Sequence, residues 1–329
     1  MAERIMTAIP GLATRVRTRV NGRQLKFEYG IFVVLAVAGV ASSVAVPQFA
    51  TGTNAKALLV SVSIQGLVAV GMTLVVISGS LVDLSVPAQV ALSSILVLSL
   101  ESHGAVIAIL AGIGSALACG LVNGVLISAG GNPVLVTLAL QTIVFGVAVG
   151  LNGGSAVYGT PGNLQRFANA SVGSVPVLVL LFLGIALVMQ LILRQTRFGF
   201  EIYSTGANRA AARVSGVPVR RILLVVFLIS AALAGLAGAL AGAYGAQADG
   251  NVGSGYEFYA LTAVVVGGTS LFGGRGNVAN TVAGVLLVGL INNVMILLGL
   301  PTNLQLVVMG FLLVAIVGPD AYFRRGDRR

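Results

Sequence analysis

Asp83 is the acidic residue whose surroundings could give it a task. It lies in Ser78-Gly79-Ser80-Leu81-Val82-Asp83-Leu84-Ser85-Val86-Pro87, between two long apolar runs. A carboxylate at the centre of a bilayer costs about 2.5–3.5 kcal/mol on insertion scales, so it would face a partner, a cavity or water. Glycine, serine and proline around it predict an interrupted helix, whose freed backbone groups are tolerated only beside protein or a wet path. The alternative is a plain cytoplasmic turn in which Asp83 caps the next helix. Gly255-Tyr256-Glu257-Phe258, leading to Gly267-Gly268-Thr269-Ser270-Leu271-Phe272-Gly273-Gly274-Arg275-Gly276, predicts a second interruption, with backbone open to a lumen or a neighbour. A phosphate-binding loop would need a lysine after its glycines at a strand–helix junction. No lysine follows and no sheet is expected, so nucleotide binding by this chain is excluded. His103, the only histidine, reads as an interfacial residue in a short external loop. Cys119 is the only cysteine, so no intramolecular disulfide or cysteine-based metal site can form. No catalytic residue, metal site or cofactor is predicted.

The elements that must position these residues are membrane helices. The chain has 329 residues, of which 57% are hydrophobic and 9% charged, where a soluble domain carries roughly 25% charged residues. The apolar residues come in runs long enough to cross about 30 Å of hydrocarbon at 1.5 Å per residue. Gly30–Val46, Ala57–Ser78, Leu84–Leu100, Gly104–Ala129, Pro133–Leu151, Val175–Leu193, Ile222–Ala243 and Val278–Leu298 contain no charged side chain. Phe258–Phe272 and Leu304–Val317 are shorter. The runs are unbroken instead of alternating, which predicts helices and not a barrel. The fold class is therefore an all-α integral membrane protein of about ten transmembrane helices.

The net charge of +10 is explained by topology. Seventeen of the 19 basic residues fall on one side of a ten-span arrangement, leaving Lys56 and Arg166 on the other. The Lys/Arg bias of short loops puts the rich side in the cytoplasm, with both termini. Residues 1–29 form a basic cytoplasmic tail and not a cleavable signal, because the first apolar run is too long and no cleavage site follows it. Nothing aromatic is interleaved in that tail to suggest nucleic-acid binding. Residues 30–318 form the transmembrane domain, and 319–329 a cytoplasmic tail.

Gly120-Leu121-Val122-Asn123-Gly124-Val125-Leu126-Ile127 in the fourth span matches Gly289-Leu290-Ile291-Asn292-Asn293-Val294-Met295-Ile296 in the ninth at five of eight positions. A proline follows each, at Pro133 and Pro301. Spans four and nine run in opposite directions, which is the pattern of an inverted five-helix repeat with a pathway between its halves. The other source of such a match is the restricted alphabet of apolar helices. Glycine pairs Gly120/Gly124, Gly146/Gly150 and Gly238/Gly242 predict close helix packing. Asp83, Ser85, Asn123, Thr137, Asn292 and Asn293 are expected to face a central or interhelical polar region.

The longest cytoplasmic loop runs from Arg194 to Arg221. Asn208 is placed to cap a short helix reaching Arg213 and Val214, and Gly216 to end it.

Four elements of this chain resemble the permease subunits of ribose-type monosaccharide ABC importers. They are Asp83–Pro87, Pro133–Leu138, Thr196–Val217 and Tyr256–Gly276, in the family's order, within a match from about residue 57 to 317. Pro87 stands where that family has a glycine, Ser80-Leu81 replace a glycine pair, and Phe200 replaces an arginine. The resemblance implies a type II-like importer permease in the bacterial inner membrane, moving a ribose-like pentose or a hexose. It implies a second permease subunit, a periplasmic solute-binding protein and a separate cytoplasmic ATPase, so the chain is a transport subunit and not an enzyme. Substrate-pathway residues would be Asp83, Ser85, Asn123, Thr137, Asn292, Asn293, Thr269 and Ser270. ATPase coupling would fall to Thr196, Arg197, Phe198, Gly199, Glu201, Gly206, Asn208, Ala211, Ala212, Arg213 and Gly216. The alternatives are an ion-coupled secondary transporter, which also uses inverted repeats, or a permease of this class for nucleosides or branched-chain amino acids.

Overall fold

The computed structural model describes residues 33–160 and 162–326, with side chains as far as residue 315. The basic tail expected at residues 1–29 lies outside the described residues. Thirteen α-helices are described, and each of the ten apolar runs overlaps one. They are α1 (Val33–Ala45), α2 (Gly52–Ile77), α3 (Val86–Ser99), α4 (Ala105–Ser128), α5 (Pro133–Leu151), α6 (Asn163–Asn169) and α7 (Val177–Gln195). Then follow α8 (Arg197–Ala207), α9 (Arg209–Val214), α10 (Val219–Gly245), α11 (Tyr256–Val266), α12 (Val278–Leu297) and α13 (Thr302–Gly326). Six of these, α2, α4, α5, α7, α10 and α12, are long and apolar enough to cross a membrane. Four more, α1, α3, α11 and the apolar part of α13, are shorter apolar helices. The backbone of α13 stays helical to Gly326, past the boundary expected at residue 319.

Side-chain caps fix the helix starts, satisfying backbone N–H groups that the first turn leaves free. Thr51 accepts from Asn54 N–H at the start of α2, and Asn132 from Val134 and Leu135 N–H at the start of α5. Asn277 accepts from Asn280 N–H at the start of α12. Helix α2, about 39 Å long at 1.5 Å per residue, is enclosed from Val62 to Ile77. Around it pack α7, α10, α11 and α12. Helix α10 in turn packs on α2, α3 and α4, while α3 packs on α4, α5 and α10, and α11 on α2, α12 and α13.

Glycine sets the closest of these approaches. A Cβ added to Gly120 would land on Ala231 and the Phe227 carbonyl of α10, and one on Gly238 would strike Val90 of α3. Gly146 and Gly150, identical in sequence pattern, meet nothing within 4 Å. Their close packing is therefore not a contact within this chain.

One expectation fails in detail: short sheets do exist. β1 (Val157–Tyr158) pairs antiparallel with β4 (Gln247–Ala248), and β2 (Ser171–Val172) with β3 (Val175–Pro176). The first ties the loop before α6 to the loop after α10, and the second closes the turn after α6, a short helix that the apolar-run reading also missed. Each strand is two residues long, and no lysine follows the glycines between β1 and α6 or between β4 and α11, so the argument against a phosphate-binding loop stands.

Candidate functional site: a buried polar break and the loop that grips it

Helix α2 ends at Ile77, and the chain turns back on itself before α3 begins. Asp83 N–H reaches the Met72 sulfur at 3.4 Å, so Asp83 sits beside a residue more than a turn inside the end of α2. Asp83, Ser85, Asn123 and Thr137 are all fully enclosed. Burial excludes a solvent-exposed turn, and Asp83 Oδ1 accepts the Ser85 N–H at 3.0 Å at the start of α3. Leu81, between the arms, holds a left-handed backbone with φ 61°, an outlier for a bulky side chain. A kink of this kind stores strain of order 1–3 kcal/mol.

Ser85 organises the cluster. Its hydroxyl donates to Asp83 Oδ1 at 2.5 Å and accepts from Gln89 Nε2 at 2.7 Å and Asn123 Nδ2 at 2.8 Å. A serine hydroxyl has one proton and two lone pairs, so all three are used and both amide groups are oriented. Their oxygens face away from Ser85. Asp83 Oδ2, Gln89 Oε1 and Asn123 Oδ1 are buried without a hydrogen-bond partner among the described residues. Three unfilled acceptors on one network call for donors, which water or a hydroxylated molecule can supply. Thr137 joins through the backbone, accepting Leu84 N–H at 3.1 Å and donating to the Pro133 carbonyl at 2.9 Å.

The other expected pathway residues lie elsewhere. Asn293 exchanges two hydrogen bonds with Asn54, at 3.0 and 2.8 Å, near the start of α2. Asn54 is 18 residues from Met72, about 27 Å along the helix, so this pair is remote from Asp83. Asn292 beside it is half-buried. Thr269 and Ser270 are buried in the loop after α11, where Ser270 N–H donates to the Arg275 carbonyl at 3.0 Å.

The 194–221 loop folds as two capped helices. Thr196 accepts from Gly199 N–H at 3.2 Å to start α8, and Asn208 accepts from Ala210 and Ala211 N–H at 3.0 Å to start α9. Gly216, with φ 82°, follows the end of α9. Exposed Arg197 pairs with the largely buried Glu201 at 2.9 Å along α8. Phe198 packs inward, Gly199 abuts the Leu193 carbonyl, and Ala212 is buried. Ala211 and Arg213 are exposed, and so are the apolar Phe200 and Val214. Seven of the nine basic residues from 33 to 315 lie at this end of the bundle, while exposed Lys56 and Arg166 lie at the other.

A family described as branched-chain amino acid transport system / permease component matches residues 54–317. That stretch takes in the Asp83 break, the two-helix loop and the glycine loop together. The chain belongs to this family. The permease is 35% identical over 321 residues to the D-allose transport system permease protein AlsC of Escherichia coli, covering 94% of the permease and 98% of AlsC. It is 36% identical over 293 residues to the ribose import permease protein RbsC of Bacillus subtilis, covering 88% and 89% of the two chains. The L-arabinose ABC transporter permease protein AraH of Azospirillum brasilense is 35% identical over 326 residues, covering 95% and 93%. No solved structure matches. The resemblance to ribose-type sugar permeases is borne out, and the permease is a multi-pass membrane protein.

Two residues of the permease escaped the sequence reading. Gln89 sits inside an apolar helix, and its signal was a polar residue four positions after Ser85, on the same helical face. Arg209 was counted only as a loop charge. Its Nη2 turns inward, donating to the Gly79 carbonyl at 3.0 Å and Ser80 Oγ at 3.1 Å. Burial, and secondarily the Arg213 charge, lower its pKa from the ordinary guanidinium value, which starts high enough to leave it cationic at neutral pH.

Proposed function

We propose that the permease is the transmembrane subunit of an ABC importer that carries a ribose-like pentose or a hexose across the bacterial inner membrane. The observation that carries this reading is the enclosed Asp83–Ser85–Gln89–Asn123 cluster with its three unfilled acceptor oxygens. A monosaccharide presents a rim of hydroxyl donors, the complement of such a cluster, whereas a branched-chain amino acid gathers its N–H donors on one ammonium and brings a carboxylate that acceptor oxygens repel. The allose, ribose and arabinose permeases among its relatives support the same substrate class.

The importer needs partners. A separate ATPase supplies the energy, a periplasmic binding protein delivers the sugar, and two permease subunits enclose one pathway. The exposed face of α8 and α9, with Phe200, Ala211, Arg213 and Val214, suits docking of the ATPase, since it joins apolar area to positive charge at the basic end. Ten crossings with both termini cytoplasmic fit the segregation of the basic residues. An inverted repeat is supported by packing partners: exchanging α2 with α10, α3 with α11, α4 with α12 and α5 with α13 maps the main contacts onto one another. Gly120 on α10 then corresponds to Gly289 on α2, where an added Cβ would strike Val62.

The test is a substrate panel. Membrane vesicles holding the permease, its ATPase and its binding protein are supplied with labelled ribose, allose, arabinose, a nucleoside and leucine. Uptake of a monosaccharide alone supports the reading; uptake of the nucleoside or leucine with no sugar uptake overturns it.

A further inference from the structure

The elbow between α8 and α9 meets the end of α2 with no side chain between them. A Cβ on Gly206 would fall on the Ile77 carbonyl oxygen, the same oxygen that accepts Gly274 N–H at 2.8 Å. One on Gly79 would come within 3.2 Å of Gly206 Cα, and one on Gly273 within 2.8 Å of both the Gly206 oxygen and Gly79 Cα. Three backbones therefore touch: the coupling loop, the start of the Asp83 break and the glycine loop after α11. Contact this close transmits displacement, because packed backbones have no slack to absorb it.

Arg209 fastens the contact. It could extend to water, as a surface arginine normally does, yet its guanidinium turns to the Gly79 carbonyl and Ser80 Oγ. No carboxylate draws it there, since the ion pair among the described residues is Arg197 with Glu201. Ser80 is wholly enclosed and also receives the Ser78 hydroxyl at 3.2 Å. Beyond Ser80 come the left-handed Leu81 and then Asp83 with its Ser85 network. The path from the loop to the buried cluster is therefore four residues of chain, strained at one of them.

We propose that Arg209 is a positioning residue that clamps the α2–α3 break to the coupling loop, so that a shift of α8 and α9 moves Asp83 and Ser85. The proposal rests on the reading of residues 194–221 as the loop that meets the ATPase. An arginine suits the task because its planar Nη2 holds two N–H bonds in fixed directions, one for each acceptor, whereas a lysine ammonium is a flexible point charge. Each conformation of the permease can then be favoured by the ATPase through one rigid contact, as coupling requires.

The experiment uses the full complex of permease, ATPase and binding protein in proteoliposomes, with Arg209→Gln, Arg209→Lys, Ser80→Ala and the double variant R209Q/S80A. Uptake per ATP hydrolysed, stimulated hydrolysis and ATPase co-purification are measured together. R209Q is expected to keep co-purification and stimulated hydrolysis within about twofold while uptake per ATP falls at least about tenfold. R209K should fall less, and S80A should add little to R209Q because both break one contact. Unchanged uptake per ATP in R209Q overturns the clamp. Parallel loss of uptake and co-purification also overturns it, placing Arg209 against the ATPase instead. Should R209Q fail to insert, R209K and S80A carry the same comparison. The coupling-loop reading itself fails separately, if Ala211→Trp leaves co-purification and uptake normal.

Discussion

A fully enclosed carboxylate with one unfilled oxygen is unusual, because a buried charge without a partner is costly. Asp83→Asn keeps the shape and the acceptor that Ser85 uses, so the break should still form. We expect a melting temperature in detergent within a few degrees of the parent and uptake reduced at least about tenfold. Uptake equal to the parent would show that the carboxylate has no part in transport. The Asn54–Asn293 pair has a different expectation. Its reciprocal bonds should couple the two residues by about 0.6–1.7 kcal/mol, the range found for hydrogen bonds between membrane helices. A double-mutant cycle of Asn54→Ala and Asn293→Ala reads this directly, and strict additivity would deny the contact. Glycine, serine and proline around Asp83 pointed to a break but left a capping turn as the alternative, because the same residue types build both. That Asn293 turns away from Asp83 was not legible, because a repeat match gives direction along the chain but not which neighbour a side chain meets.

At the scale of elements, equal sequence patterns part company. Gly120/Gly124 and Gly146/Gly150 are the same motif, yet the first pair presses on α10 and the second on nothing in this chain. Gly120→Val should destabilise the fold by about 1–3 kcal/mol or more through overpacking. Gly146→Ala should be neutral or gain up to about 0.5–1 kcal/mol of helix stability. Thermal melting of the purified chain distinguishes them, and equal losses would contradict the packing described. The 194–221 loop divides in the same way. Sequence alone groups Gly206 and Ala211 as small residues of one coupling loop. Gly206 is wedged against the Ile77 carbonyl while Ala211 is exposed, so Gly206→Trp should fail to fold and Ala211→Trp should insert normally. The yield of folded protein for each checks this, and a well-folded Gly206→Trp would refute the junction. The Asn208 cap was legible from its residue type. The companion helix α8 was not, because its start at Thr196 follows the apolar run of α7 without a visible gap.

For the molecule as a whole, the apolar runs made the membrane class plain from composition, and the segregated arginines gave an orientation to test. In a Cys119→Ser background, a cysteine at position 166 should label from outside intact cells and one at 213 should not; the reverse pattern would invert the topology. The unbroken helices left no sequence signal for α6 or for the two-residue ladders, one a local turn (β2–β3) and the other a pairing of two distant loops (β1–β4). Under the proposed function, this chain is a permease driven by a separate ATPase that docks on one loop. The most direct measurement is labelled monosaccharide accumulation in proteoliposomes containing permease, ATPase and binding protein, with ATP and ion gradients varied independently. Accumulation that requires ATP on the side of α8 and α9, survives collapse of every ion gradient and is lost in Ala211→Trp is the predicted result. Accumulation that persists without ATP and stops when an ion gradient is collapsed would contradict it.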